Sequence, residues 1–194
     1  STTTKVKYFE ISPEIVSPEG NENITVQGAA FVLGKTYMLT IVEGSYSENV
    51  TGTAINMGNI TFVTPAWNGE SGRKTANLKG PFWNPNGCYE KATSLSPTSH
   101  TIFSNGIDAC YEKCLENTAA TTTIALKGTE CLCYTQTFTE IESQEILSSN
   151  TECVHICTNP VEHLCGSPSN AYYSYYEAGD TGTEVQTEGI RIAE

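Results

Sequence analysis

Cys131-Leu132-Cys133 sets two sulfurs one residue apart, and six more cysteines flank it: Cys88, Cys110 and Cys114 before, Cys153, Cys157 and Cys165 after. Thiols at this density can do three kinds of chemistry. A zinc site needs two short cysteine pairs. Cys110/Cys114 and Cys153/Cys157 could supply them, with His155 and His163 nearby, but four cysteines would stay idle. Thiol redox catalysis uses Cys-x-x-Cys at a helix start, where the helix dipole lowers the thiol pKa. Cys131-x-Cys133 has a different spacing and sits among strand-forming residues. Structural disulfides employ all eight, each worth about 2–4 kcal/mol to a small, core-poor domain, and this is the reading we adopt.

The spacing also says how the staples can be carried. Cys110 and Cys114, at i and i+4 in "NGIDACYEKCLEN", share one helical face, with Ser104 or Asn105 able to cap the helix. Cys131 and Cys133, at i and i+2, share one face of a strand. Each cysteine can therefore reach a partner of its own, and the pairing itself is left open.

Other chemistries find less support. His100, His155 and His163 are the histidines available to a catalytic triad, and none lies in a Gly-x-Ser-x-Gly setting. Glutamate pairs suited to glycoside hydrolysis are numerous because glutamate is numerous. No enzyme activity, cofactor or metal is expected. Sugar recognition usually uses an exposed aromatic platform. Tyr89, Tyr111, Tyr134, Tyr172, Tyr173, Tyr175 and Tyr176 are its candidates, with Tyr134, Tyr173 and Tyr175 as the chosen glycan contacts. A strand over "YYSYY" would put Tyr173 and Tyr175 on one face and Tyr172 and Tyr176 on the other. Packing in a small core is the competing role. Trp83 is expected to pack between domains.

Composition narrows the setting. The 194 residues carry a net charge of −12, which repels nucleic-acid backbones. Asp108 and Asp180 are the only aspartates, so a calcium loop built on aspartate clusters is not expected. No apolar run approaches the about 20 residues of a membrane-spanning helix. Asn23-Ile-Thr, Asn49-Val-Thr and Asn59-Ile-Thr are N-glycosylation sequons. With an even cysteine count they favour a secreted glycoprotein. The start at Ser1 fits a processed chain that has lost a secretory signal.

All eight cysteines lie beyond residue 87, which marks a boundary at "GPFWNPNG" (80–87). The expected organisation is an all-β domain over 1–82, a linker at 83–87, a cysteine-rich domain over 88–178 and an acidic, strand-like tail over 179–194. In the first domain the runs 5–11, 24–32, 37–43, 52–57 and 59–65 read as strands at sandwich spacing. Pro13 and Pro18 confine the segment between them to an edge or loop. "ISPEIVSPEGNENITVQGAAF", with its Gly28-Ala-Ala-Phe31 step, and "INMGNITFVTP", ending Thr64-Pro65, resemble IPT/TIG domains. That resemblance implies an immunoglobulin-like β-sandwich serving as an extracellular spacer or interaction module.

The second domain resembles the WSC domain. The carrying residues are Gly87-Cys88-Tyr89, Cys110-x3-Cys114, Glu130-Cys131-Leu132-Cys133, Cys153-x3-Cys157, and Cys165-Gly166 followed by "AYYSYYEA". The resemblance implies a small disulfide-rich α+β module of extracellular and cell-wall proteins that binds carbohydrate. Tyr134 stands where that family commonly has glycine, and Thr158-Asn159 and Gly166-Ser167 replace its Gly-Asn and Gly-Gly.

The two ends alternate like strands, at 5–11 and 185–194. Either could add to a sheet edge of a neighbouring copy and build a filament, or fold back on its own domain. The expectation is a non-enzymatic, extracellular or cell-surface glycoprotein. Its partners are further copies of itself, through terminal strands, and glycans or cell-wall polysaccharide, with no nucleic acid and no membrane span. The alternative is a soluble carbohydrate-binding accessory module of a polysaccharide-degrading enzyme.

Overall fold

A computed structural model describes residues 9–103, 106–157, 163–186 and 189–194. The protein is mostly β and divides into two compact units. One comprises Ser1–Phe82 with Gly179–Glu194, the other Trp83–Ala178.

The first unit begins with β1 (Glu10–Ser12), β2 (Ile15–Val16), β3 (Asn23–Gln27), β4 (Thr36–Glu43), β5 (Tyr46–Asn56), β6 (Asn59–Val63) and β7 (Gly72–Lys79). Their residues alternate between inward apolar and outward polar positions, as in β3, where Ile24 and Val26 are buried between Asn23, Thr25 and Gln27. β2, held between Pro13 and Pro18, is two residues long and lies at the sheet edge. β5 is the long element. Its residues 46–53 pair with β4, and 53–56 pair with β6. The core gathers Phe9, Phe31, Tyr37 and Phe82, with Phe9 and Phe31 stacked at 5.1 Å between centroids. Tyr37 Oη accepts from Val32 N at 2.7 Å and donates to the Pro81 carbonyl. Gly28 of the Gly-Ala-Ala-Phe step packs against Phe9. A Cβ there would fall 1.9 Å from Phe9 Cδ1, so only glycine lets the ring close over the strand end.

The second unit follows as β8 (Trp83–Glu90), β9 (Thr98–Thr101), α1 (Gly106–Asn117), β10 (Thr123–Lys127), β11 (Glu130–Tyr134), α2 (Phe138–Glu142), β12 (Ser148–Ser149), β13 (Ile156–Cys157), β14 (His163–Leu164) and β15 (Tyr172–Ala178). Six strands form one sheet in the order β12–β8–β15–β10–β11–β9, and β13 and β14 make a separate antiparallel pair. Cys131 and Cys133 project from one face of this sheet, against α1, and Leu132 and Tyr134 from the other, against α2. α2 starts at a capping box. Thr137 Oγ1 accepts from Glu140 N at 3.4 Å, and Glu140 Oε2 accepts from Thr137 N at 2.8 Å. Ser104 and Asn105, expected to cap α1, lie outside the described residues, as do residues 5–8 of the expected first strand and the Thr158-Asn159 step.

The chain then returns to the first unit with β16 (Glu184–Gln186) and β17 (Ile190–Ile192). Both pair antiparallel with β7, and β17 also pairs in parallel with β2. The sheet order is β1–β3–β6–β5–β4–β7–β17–β2, with β16 also on β7.

Two expectations are corrected here. Residues 83–87 are not a linker but the first part of β8, paired with β15 through Trp83↔Ala178, Asn84↔Glu177 and Pro85↔Tyr176. Pro85, which cannot donate, is accommodated near the register shift at Tyr175/Tyr176. Residues 179–194 are not an appendage. Ile190 and Ile192 are buried in the first unit's core, because β7 needs a neighbour on its outer edge. The strand expected to be offered to another copy is already paired within its own chain.

Candidate ligand-binding cleft

The structure supplies the pairing that the spacing left open. Cys110 and Cys114, one helical turn apart on α1, face Cys131 and Cys133, two residues apart on β11. They bond as Cys110–Cys131 and Cys114–Cys133 with Cα separations of 5.4 and 5.5 Å. The two bridges lie side by side, Cys114 Sγ standing 3.6 Å from Cys131 Sγ. Cys88–Cys153 ties β8 to the segment beyond β12, and Cys157–Cys165 closes the β13–β14 pair. Among the described residues no cysteine is free. The sulfurs of Cys110, Cys114 and Cys131, and of Cys157 and Cys165 beside His163, are close enough together to resemble metal sites. Every one of these sulfurs is in a disulfide, and a disulfide sulfur is not the thiolate a metal requires.

Tyr134, Tyr173 and Tyr175 do not form an exposed platform. They are 1%, 4% and 0% exposed, packed with Leu132, Phe138 and Ile141 under α2. Tyr134 Oη accepts from Ala92 N at 3.2 Å and lies 3.1 Å from Tyr175 Oη, which donates to the Glu90 carbonyl at 2.8 Å. Burial pushes both phenols above the ordinary tyrosine range. The reason is the place of β15. It lies between β8 and β10 with side chains packed on both of its faces, so Tyr173 and Tyr175 are covered on one and Tyr176 on the other. Tyr176 Oη instead bridges the Leu164 N–H and carbonyl at 3.1 and 2.6 Å. Trp83 sits on β8 in edge-to-face contact with Tyr111 of the same unit, 5.0 Å between centroids.

The histidines fall in two places, His100 on β9 and His155 and His163 at the β13–β14 pair. His100 is on β9 opposite Cys131. His163 serves the fold, its Nε2 accepting from Ile107 N at 3.0 Å in the first turn of α1. Gly106 makes room for that bond. Its φ is +54°, and a Cβ would fall 2.2 Å from His163 Nε2. His155 has its backbone bonded to Gly166 and Cys165 at 2.9 and 2.7 Å.

Beside this hairpin a cleft of about 430 Å³ opens, lined by Ile102, Phe103, Gly128, Thr129, His155 and Ile156, with the Cys157–Cys165 bridge in its wall. Phe103 is 90% exposed and Ile156 55%. An aromatic face flanked by a hydroxyl, an imidazole and glycine backbone can stack on a ring and hydrogen-bond its edge. Sequence reading passed over Phe103. Nothing distinguishes a lone aromatic before a helix from a core residue until its exposure is known.

Asn23 and Asn49 are exposed on β3 and β5, and Asn59 is half-buried on β6 with its Nδ2 donating to Asn56 Oδ1 at 3.0 Å. Among the described residues no helix is long and apolar enough to cross a membrane. Comparison with known proteins finds no matching family model, no similar curated protein and no matching solved structure.

Proposed function

We propose that the chain is a secreted, non-enzymatic glycoprotein in which an IPT-like immunoglobulin sandwich carries an inserted WSC-like module, and that this module binds carbohydrate in the Phe103 cleft. The parallel β2–β17 pair beside the antiparallel β17–β7 pair supports the immunoglobulin-like reading. The order of the eight cysteines supports the WSC-like reading, and four disulfides suit an oxidising, extracellular setting.

The observation that carries the binding reading is Phe103. It is 90% exposed at a cleft in a unit whose Trp83, Tyr111, Tyr134 and Tyr175 are all buried. Phe103 and the half-exposed Ile156 line one cleft, and exposed apolar side chains grouped at a groove are what marks a ligand site. A polysaccharide microarray probed with the whole chain tests it. Retention on at least one cell-wall glycan is expected, with Phe103→Ala weakening it at least about tenfold, or about 1.4 kcal/mol. Absence of any glycan signal overturns the reading.

A further inference from the structure

Asn23, Asn49 and Asn59 stand on β3, β5 and β6, and these strands are consecutive neighbours in the order β3–β6–β5. In a strand, residues i and i+2 point the same way. Each acceptor therefore shares its face with its own sequon threonine, Thr25, Thr51 or Thr61, while the residue between them turns inward. Ile24 and Ile60 are 1% and 0% exposed, and Val50 packs on the core. The register joins β3, β6 and residues 53–56 of β5, Thr25 opposite Thr61 and Thr61 opposite Thr53, and Asn49 stands four residues further along the same face of β5, opposite Thr40 of β4.

Two features mark this surface. The protein carries 22 acidic and 10 basic residues, yet the outward positions of these three strands hold amides, hydroxyls and aliphatics and no charge. It also exposes Val63 (48%) and Ile55 (59%). Val63 is directly opposite Asn23, and Ile55 adjoins Asn56, the partner of Asn59.

We propose that the outward face of β3–β6–β5 is a single glycan-bearing face, with Asn23, Asn49 and Asn59 modified together and their sugars covering Val63 and Ile55. The proposal rests on the secreted reading above. The donor is a lipid-linked oligosaccharide diphosphate. A bond forms between the asparagine Nδ2 and the sugar C1, and the C1–oxygen bond to the diphosphate breaks. The lipid diphosphate leaves with that electron pair, and one amide proton is lost to solvent. Asn59 is the least accessible acceptor, so its glycan is the least trimmed of the three.

The test is expression of the whole chain in a secretory eukaryotic host, with glycopeptide mass spectrometry and a thiol count on the secreted protein. All three sites occupied, with oligomannose enriched at Asn59, is the expected result. Any empty site in a secreted chain without free thiols overturns the single-face proposal and leaves the secreted reading standing. Retention in the cell with free thiols overturns the secreted reading and this proposal with it. A combined Asn23→Gln, Asn49→Gln, Asn59→Gln variant is expected to self-associate in light scattering, and adding Val63→Thr and Ile55→Thr to restore the monomer. A bare variant that stays as monodisperse as the glycosylated protein overturns the covering role.

Discussion

The first unit is held without a cysteine, and the second uses all eight. The difference lies in what each can bury. The sandwich-like unit closes around contiguous rings and aliphatics, Phe9, Phe31, Tyr37 and Phe82 with Leu39, Ile60 and Ile190, so apolar burial alone sustains it. The second unit spreads its apolar residues over two faces of one sheet. α2 covers one face. On the α1 side, Cys110, Cys114, Cys131 and Cys133 occupy positions that larger aliphatics would fill. Sulfur bridges there replace packing volume and also restrict the unfolded chain.

Reduction should split the two units most widely. Four bridges at about 2–4 kcal/mol each exceed the stability of a small domain. Hydrogen exchange after reduction should show protection lost over residues 83–178 and kept over β3–β7. Uniform loss would mean that the first unit depends on the second.

Ile190→Ala addresses the opposite side. Ile190 is 0% exposed in the first unit's core, so the change should cost that unit about 2–5 kcal/mol in denaturant unfolding. A neutral result would mean that the C-terminal strand does not seal β7.

Alkaline pH should again single out the second unit. Burial raises the phenols of Tyr134, Tyr175 and Tyr176 in the folded state. They therefore contribute stability that is complete below the ordinary tyrosine value of about 10 and is lost as pH climbs beyond it. Tyrosinate absorbance from these residues should appear together with unfolding of 83–178. Smooth titration while exchange protection persists would contradict their burial. The smallest expected effect is Thr137→Ala, which removes the α2 cap at a cost of about 1 kcal/mol. It should lower the melting midpoint of the second unit alone.

Much of this contrast was legible in the sequence. Spacings i, i+4 and i, i+2 placed two sulfurs on a helix face and two on a strand face because those periods are properties of the backbone. The alternation in 24–27 and 37–43 marked β3 and β4 for the same reason. β7 escaped notice because "GRKTANLK" reads as polar. Its inward Lys74 is only 7% exposed, and its Nζ meets Glu43 Oε1 at 3.0 Å and the Ser71 carbonyl at 3.1 Å. Such pairing has no local signature. The alternation in "YYSYY" separated two faces but could not tell that both would be covered. The closing strand 190–192 pairs with residues more than a hundred positions earlier, beyond any local pattern.

The proposed binding reading falls on the disulfide-held unit, where the Cys157–Cys165 bridge forms a wall of the cleft. The most direct measurement is affinity electrophoresis of the whole chain through gels containing cell-wall polysaccharide, comparing the oxidised protein, the reduced protein and Phe103→Ala. The account predicts retardation of the oxidised chain, lost on reduction and lost in Phe103→Ala. Equal mobility of all three, or retardation that survives Phe103→Ala, would contradict it.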